Sequence, residues 1–138
     1  MTETILIIDG QGGKMGRQLV EAARSRFPTA NILAVGTNSN ATAAMLKGGA
    51  HNAATGENSV IVAARRASVI LCPLGLVIAD SLLGEVTDKM ALAIAKSSAK
   101  KILIPLNRCD SLVAGIRDSS ITELLEDAMD KCAEALSS

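Results

Sequence analysis

The sequence predicts a single α/β domain with a doubly wound, mostly parallel sheet. Two patterns support this class. Four apolar residues, 5–8, run into a turn with four glycines, and a helical pattern follows at once. Apolar strand patterns then alternate with helical ones along the chain, which is the order of βαβ units. A length of 138 residues is typical of one domain.

The composition excludes several classes of protein. Hydrophobic residues make up 49% of the chain, enough to build a core. Lys+Arg and Asp+Glu number 14 each, and one Phe is the only aromatic residue, so we expect no nucleic-acid partner. The apolar runs are too short to cross a bilayer, and no cationic signal region is visible, which predicts a cytoplasmic protein without membrane contacts. Three widely spaced cysteines and one histidine predict reduced thiols and no metal site.

The predicted elements follow from hydrophobic periodicity and from turn signals. Strands are expected at residues 5–8, 31–35, 50–54, 68–72 and 100–106. Helices are expected at residues 13–26, 40–47, 57–66 and 88–98, with Ser39 or Asn40 capping the second. A last helix follows a capping box formed by Ser120 and Glu123. Too few residues separate strand 100–106 from the apolar residues 113–116 for a helical crossover, so we expect an antiparallel edge strand there.

The expected strand order, 3-2-1-4-5, predicts where a ligand binds. In such Rossmann-like sheets, ligands lie where the winding reverses, outside the carboxyl ends of the first and fourth strands. Residues 9–14 should therefore lie opposite residues 72–80, with the polar turn 37–40 beside them. Residues 107–109 should lie further along the same edge.

The glycine turn is the strongest functional signal. Gly10, Gly13 and Gly16 form a GxxGxxG pattern between a strand and a helix, which lets the backbone approach a phosphate. The alternative is a tight strand-helix turn with no ligand. The residues expected to contact a cofactor are Gly10, Gln11, Gly12, Gly13, Lys14, Met15, Gly16, Thr37, Asn38, Ser39, Pro73 and Gly75.

Two resemblances accompany this pattern. The stretch GQGGKMGRQLVEAA resembles the first glycine turn of dihydrodipicolinate reductases, which implies NAD or NADP at this turn. This resemblance is confined to the first strand, turn and helix. The catalytic domain of dihydrodipicolinate reductases has no room in this chain. Over its full length the chain resembles a family of short, uncharacterised bacterial Rossmann-like proteins, through stretches such as IDGQGGKMG and CPLGLVIADSLLGEVTDKMA. That resemblance implies the fold and no established activity.

The residues after the second strand favour NADP(H). An NAD site usually has Asp or Glu there, to bind the ribose hydroxyls, whereas this chain has Gly36, Thr37, Asn38 and Ser39. Small hydroxyl and amide groups suit a 2′-phosphate better. Asp9 fits a pyrophosphate poorly unless its carboxylate binds backbone N–H groups or a metal.

Four residues are candidates for chemistry: Asp9, Asp80, Arg108 and Cys109. Asp80 lies in an apolar run, where a carboxylate is expected to be paired or hydrogen-bonded. It could instead share Mg²⁺ or acid-base work with Asp9. Arg108 could bind a phosphate or pair with a surface acid, and Cys109 could be a reactive thiol.

Our leading hypothesis is a small oligomeric protein that binds a phosphate-bearing ligand as a sensor or accessory module. Residues 41–46, 74–86 and 90–95 are apolar nearly all round, which predicts homo-oligomer contacts. Two alternatives stay open: a minimal oxidoreductase or isomerase with a site shared between subunits, and a scaffold with a vestigial turn.

Overall fold

The computed structural model describes residues 2–106 and 110–137. The strands in these residues are β1 (Thr4–Asp9), β2 (Asn31–Gly36), β3 (Asn52–Thr55), β4 (Val69–Pro73) and β5 (Lys100–Ile104). The α-helices are α1 (Lys14–Arg26), α2 (Ser39–Lys47), α3 (Glu57–Arg66), α4 (Asp88–Lys96) and α5 (Ile121–Ser137). A single 3₁₀ turn, Leu74–Val77, follows β4.

The five strands form one parallel sheet in the order β3-β2-β1-β4-β5. The predicted α/β class and strand order are confirmed. The direction in which the chain winds reverses between β1 and β4. On one side of β1, Ile8 pairs with Val35 of β2, and on the other side Ile7 pairs with Leu71 of β4. Residues 5–8 of β1 are fully buried because helices cover both faces of a parallel sheet.

Two hydrophobic clusters lie on opposite faces of the sheet. Successive residues of a strand point to opposite faces, so Ile5 and Ile7 join one cluster while Leu6 and Ile8 join the other. The first cluster is covered by α1, α2 and α5, and the second by α3 and α4. Cys132 is buried in the first cluster, and Cys72 is buried in the second.

The predicted antiparallel edge strand is wrong. Residues 113–116 form a turn in which the Ile116 N–H donates to the Val113 carbonyl at 3.3 Å, and Gly115 has a φ of 83°. Glycine supplies this left-handed conformation without a steric penalty, so the segment turns instead of extending. The chain then enters α5, which packs on α1 and β5.

Smaller differences concern caps and single side chains. Asn38, one residue earlier than expected, caps α2 by accepting from the Ala41 N–H at 2.9 Å. His51 is exposed, and its Nδ1 accepts from the Ile32 N–H at 3.0 Å. The capping box is confirmed: the Glu123 N–H donates to Ser120 Oγ at 3.1 Å. No helix in the described part of the chain is both long and apolar enough to cross a membrane.

Candidate functional site

The glycine turn joins the end of β1 to the start of α1. The Gly13 N–H donates to the Gly10 carbonyl at 3.0 Å, and Gly13 serves as the N-cap of α1 with a φ of 74°. Gln11 also has a left-handed conformation, with a φ of 49°. The turn is therefore tight, and it places the start of α1 at the carboxyl edge of the sheet.

Packing requires three of the four glycines of the turn. A Cβ on Gly10 would lie 2.7 Å from Thr37 Oγ1. A Cβ on Gly13 would lie 2.6 Å from Ala41 Cα, and a Cβ on Gly16 would lie 2.7 Å from Met45 Sδ. Gly12 differs, because its surroundings are open to 4 Å and its φ is not left-handed. Close packing of α1 on α2 thus explains Gly13 and Gly16, but it does not explain Gly12.

Asp9 is a buried carboxylate directly beneath the turn. It is 3% exposed, and its two oxygens accept from the Gly10 N–H at 2.8 Å and the Gly16 N–H at 2.7 Å. Gly16 is the third residue of α1, so Asp9 satisfies one of the N–H groups that a helix start leaves free. Burial raises the pKa of Asp9, the two N–H bonds oppose that rise, and the charge of Glu85 adds to it. Of the two alternatives that the sequence left open for Asp9, backbone N–H groups or a metal, the structure shows the backbone N–H groups.

Three backbone donors of the turn remain available. The N–H groups of Gly12, Lys14 and Met15 have no acceptor within residues 2–106 and 110–137. These residues line a cavity of 360 Å³, which also involves Gln18, Leu106 and Ile121. The last three side chains were not predicted from the sequence, since Leu106 and Ile121 reach the turn only through the packing of β5 and α5. Free N–H groups at a helix start favour an anion.

Glu85 is the main residue of the site that sequence reasoning missed. Its Oε1 accepts from the Gln11 N–H at 2.9 Å, from Thr37 Oγ1 at 2.7 Å and from Asn38 Nδ2 at 2.8 Å. Partial burial would raise the pKa of Glu85, but these three hydrogen bonds together outweigh it and lower the pKa. No motif marks Glu85, because its partners are more than forty positions away in the chain.

The polar turn after β2 lies beside the glycine turn, as predicted. The Thr37 N–H donates to the Asp9 carbonyl at 3.0 Å, and Asn38 Nδ2 donates to the Gln11 carbonyl at 2.9 Å. Ser39 is exposed at the start of α2. The carboxyl ends of β1 and β2 are therefore linked through direct hydrogen bonds.

The predicted residues after β4 have different surroundings. Pro73 ends β4, and the buried Gly75 accepts a hydrogen bond at its carbonyl from Ser81 Oγ. The expectation that the Asp80 carboxylate is paired or hydrogen-bonded is wrong, because Asp80 is exposed with a φ of 65°. Its side chain makes no hydrogen bond or ion pair with any other described residue. The candidates Arg108 and Cys109 lie outside the described residues.

Burial favours the protonated form of both described thiols, those of Cys72 and Cys132. Burial and the nearby charge of Asp9 raise the pKa of Cys72 to about 12. Burial raises the pKa of Cys132 to about 11, against a smaller opposing effect of Arg26. Among the described residues, no group of three His, Cys, Asp or Glu side chains is placed to hold a metal ion.

Comparison with known proteins identifies one family. No curated protein and no solved structure matches the chain significantly. Residues 4–137, nearly the whole chain, match a family described as a domain of unknown function. The chain therefore belongs to the family DUF3842.

Proposed function

We propose that this protein is a cytoplasmic module that binds a phosphate-bearing ligand on the glycine turn, with a nicotinamide dinucleotide as the first candidate. It would act as a sensor or accessory subunit. The observation that carries this proposal is the set of three N–H groups, of Gly12, Lys14 and Met15, that lack an acceptor in the described chain and border the 360 Å³ cavity.

The electrostatics of the turn support an anionic ligand of moderate affinity. The N–H groups and the dipole of α1 favour negative charge at this position, and the exposed Lys14 can add a cation. The carboxylate of Asp9 opposes the binding of an anion, because it already accepts a hydrogen bond from the Gly16 N–H at the start of the helix, at 2.7 Å. We therefore expect micromolar rather than nanomolar binding.

The choice of a dinucleotide rests on the resemblance of the turn to that of dihydrodipicolinate reductases. The sequence favours NADP(H), because small polar residues follow β2. Glu85, however, places a carboxylate beside Thr37 and Asn38. Both NADPH and NADH therefore belong in the first titration.

The alternative of a minimal enzyme has less support from the site. Both oxygens of Asp9 are engaged by backbone N–H groups, and Asp80 is exposed in a turn. A general base needs a carboxylate oxygen within reach of the substrate proton. Two separate variants test this alternative, Asp80→Asn and Arg108→Ala. If both stay folded and lose an enzymatic activity, the result favours the hypothesis of a minimal oxidoreductase or isomerase.

Gly12 offers a clean test of phosphate binding. A Cβ at this position would meet no atom within 4 Å, so we expect a substitution to preserve the fold. Gly12→Asp places a negative charge beside the free N–H groups, and Gly12→Asn is its neutral control of equal shape. In calorimetric titrations we expect Gly12→Asp to weaken dinucleotide binding by about tenfold or more through charge repulsion, and Gly12→Asn to change it by less than about threefold.

Gly13 is unsuitable for the same test, because a side chain there collides with Ala41 and would unfold the turn. The proposal is overturned if the wild-type protein releases no heat with NADPH, NADH or inorganic pyrophosphate. Equal binding by the two Gly12 variants would also overturn it.

A further inference from the structure

Glu85 lies where a dinucleotide on the glycine turn would place its adenosine ribose. In such complexes the phosphates lie at the start of the first helix and the ribose near the end of the second strand. In this protein β2 ends at Gly36 without an acidic residue after it. The Glu85 carboxylate reaches that point from the other side of the crevice, where it binds Thr37 and Asn38.

The donors on this side of the turn are already occupied. A 2′-phosphate would need the Gln11 N–H, the Thr37 hydroxyl and the Asn38 amide, and all three donate to Glu85 Oε1 at 2.7–2.9 Å. A 2′-hydroxyl makes a different demand, because it can donate a hydrogen bond to a carboxylate oxygen. Glu85 Oε2 has no hydrogen-bond partner among the described residues and is available for this.

The segment that carries Glu85 is held at several points. We call residues 80–86 the strap. The side chains of Leu82 and Val86 are buried, and the Asp80 N–H donates to the Val86 carbonyl at 2.7 Å. Leu82 also packs closely on Gly10: a Cβ on Gly10 would lie 2.8 Å from Leu82 Cδ1. Glu85 is thus positioned by a packed segment.

We infer that Glu85 is a specificity-determining residue that excludes a 2′-phosphate, so that the site takes a dinucleotide with a free 2′-hydroxyl, of the NAD type, in preference to NADP(H). This inference rests on the proposed binding of a dinucleotide to the glycine turn. The inferred preference for NAD is the reverse of the preference for NADP(H) that the residues after β2 indicate. The reason is that the acidic residue, Glu85, comes from the strap and not from the end of β2.

The test compares NADH and NADPH on the wild-type protein, on Glu85→Gln and on Glu134→Gln. Glu85→Gln keeps an acceptor oxygen for the three donors but removes the charge. Glu134→Gln makes the same charge change at an exposed position of α5. Calorimetry should give the wild type a preference for NADH of about tenfold or more. Glu85→Gln should lower that ratio by about tenfold, mainly by tightening NADPH, and Glu134→Gln should leave it unchanged.

The outcomes separate this inference from the proposed function. Wild-type protein that binds NADPH as tightly as NADH, or tighter, overturns the inference and leaves the binding function standing. The inference is also overturned if Glu85→Gln is folded, as judged by circular dichroism, and keeps the wild-type ratio of NADH to NADPH affinity. If neither dinucleotide binds to any of the three proteins, the inference fails. Inorganic pyrophosphate then decides on the proposed function, which also fails if the wild-type protein does not bind pyrophosphate.

Discussion

Asp9 couples the end of β1 to the start of α1. Its carboxylate accepts from Gly10 and Gly16, so it takes the place that an external anion or a capping side chain often has at a helix start. Burial is the dominant influence on this group and raises its pKa. Asp9 therefore has a structural role whether or not a ligand binds above it.

The raised pKa of Asp9 predicts how stability depends on pH. The folded protein holds this proton to a higher pH than the unfolded chain, whose group titrates near its ordinary value of 3.8. Stability from Asp9 is therefore fully present below that value and is lost as the pH rises through the folded pKa. We expect the stability advantage of wild type over Asp9→Asn to shrink as the pH rises from about 4 towards neutrality.

Urea unfolding of both proteins across this pH range measures that difference directly. Both proteins carry Glu85, so its own titration largely cancels in the comparison. An advantage that grows with pH would show that the N–H bonds, and not burial, dominate the pKa of Asp9.

At the scale of elements, the start of α5 depends on local hydrogen bonds. Ser120 Oγ accepts from the Glu123 N–H at 3.1 Å, and Glu123 Oε1 accepts from the Ser120 N–H at 3.3 Å. The residues before this helix, 111–120, are mostly exposed, so little packing defines where it begins. The capping box supplies that definition.

Ser120→Ala removes the cap and should lower the free energy of unfolding by about 1 kcal/mol. Ser119→Ala is the matched control, because Ser119 Oγ has only a 3.4 Å hydrogen bond to the Arg117 carbonyl. Chemical denaturation of the two variants and the wild type makes the comparison. Equal stabilities for the two variants would show that the capping box does not stabilise α5.

At the scale of the whole molecule, the apolar helices leave leucines on the surface. Leu46 of α2 is 53% exposed and Leu92 of α4 is 56% exposed, on opposite faces of the sheet. Leu92 borders a groove of 630 Å³ between α3 and α4. We propose that the protein forms a homo-oligomer and that α4 contributes to its interface, since exposed apolar side chains beside a groove suit a second copy.

Leu92→Glu should dissociate that oligomer, because a charge would be buried at the interface without a partner. Leu112→Glu is the control, since Leu112 is 97% exposed and does not line that groove. Light scattering after gel filtration gives the mass of each protein. A monomeric wild type, or an oligomer that survives Leu92→Glu unchanged, would contradict the proposal.

The sequence by itself determined the α/β class, the strand order and most of the elements. These depend on local patterns: residues 5–8 are continuously apolar, the glycines end β1, and Ser120 and Glu123 form a box within one helical turn. The link between the glycine turn and residues 37–38 was also predictable, because parallel strands bring their carboxyl ends to one edge. The failed edge strand at 113–116 shows the limit of such patterns, because Gly115 favoured a turn.

Only the tertiary structure decided how the site is composed. Glu85 reaches Gln11, Thr37 and Asn38 across the crevice, and Leu106 and Ile121 border the cavity from β5 and α5. These contacts join residues far apart in the chain, so no local spacing encodes them. Tertiary packing also separated Gly10, Gly13 and Gly16, where a Cβ would collide with other residues, from Gly12, which is exposed.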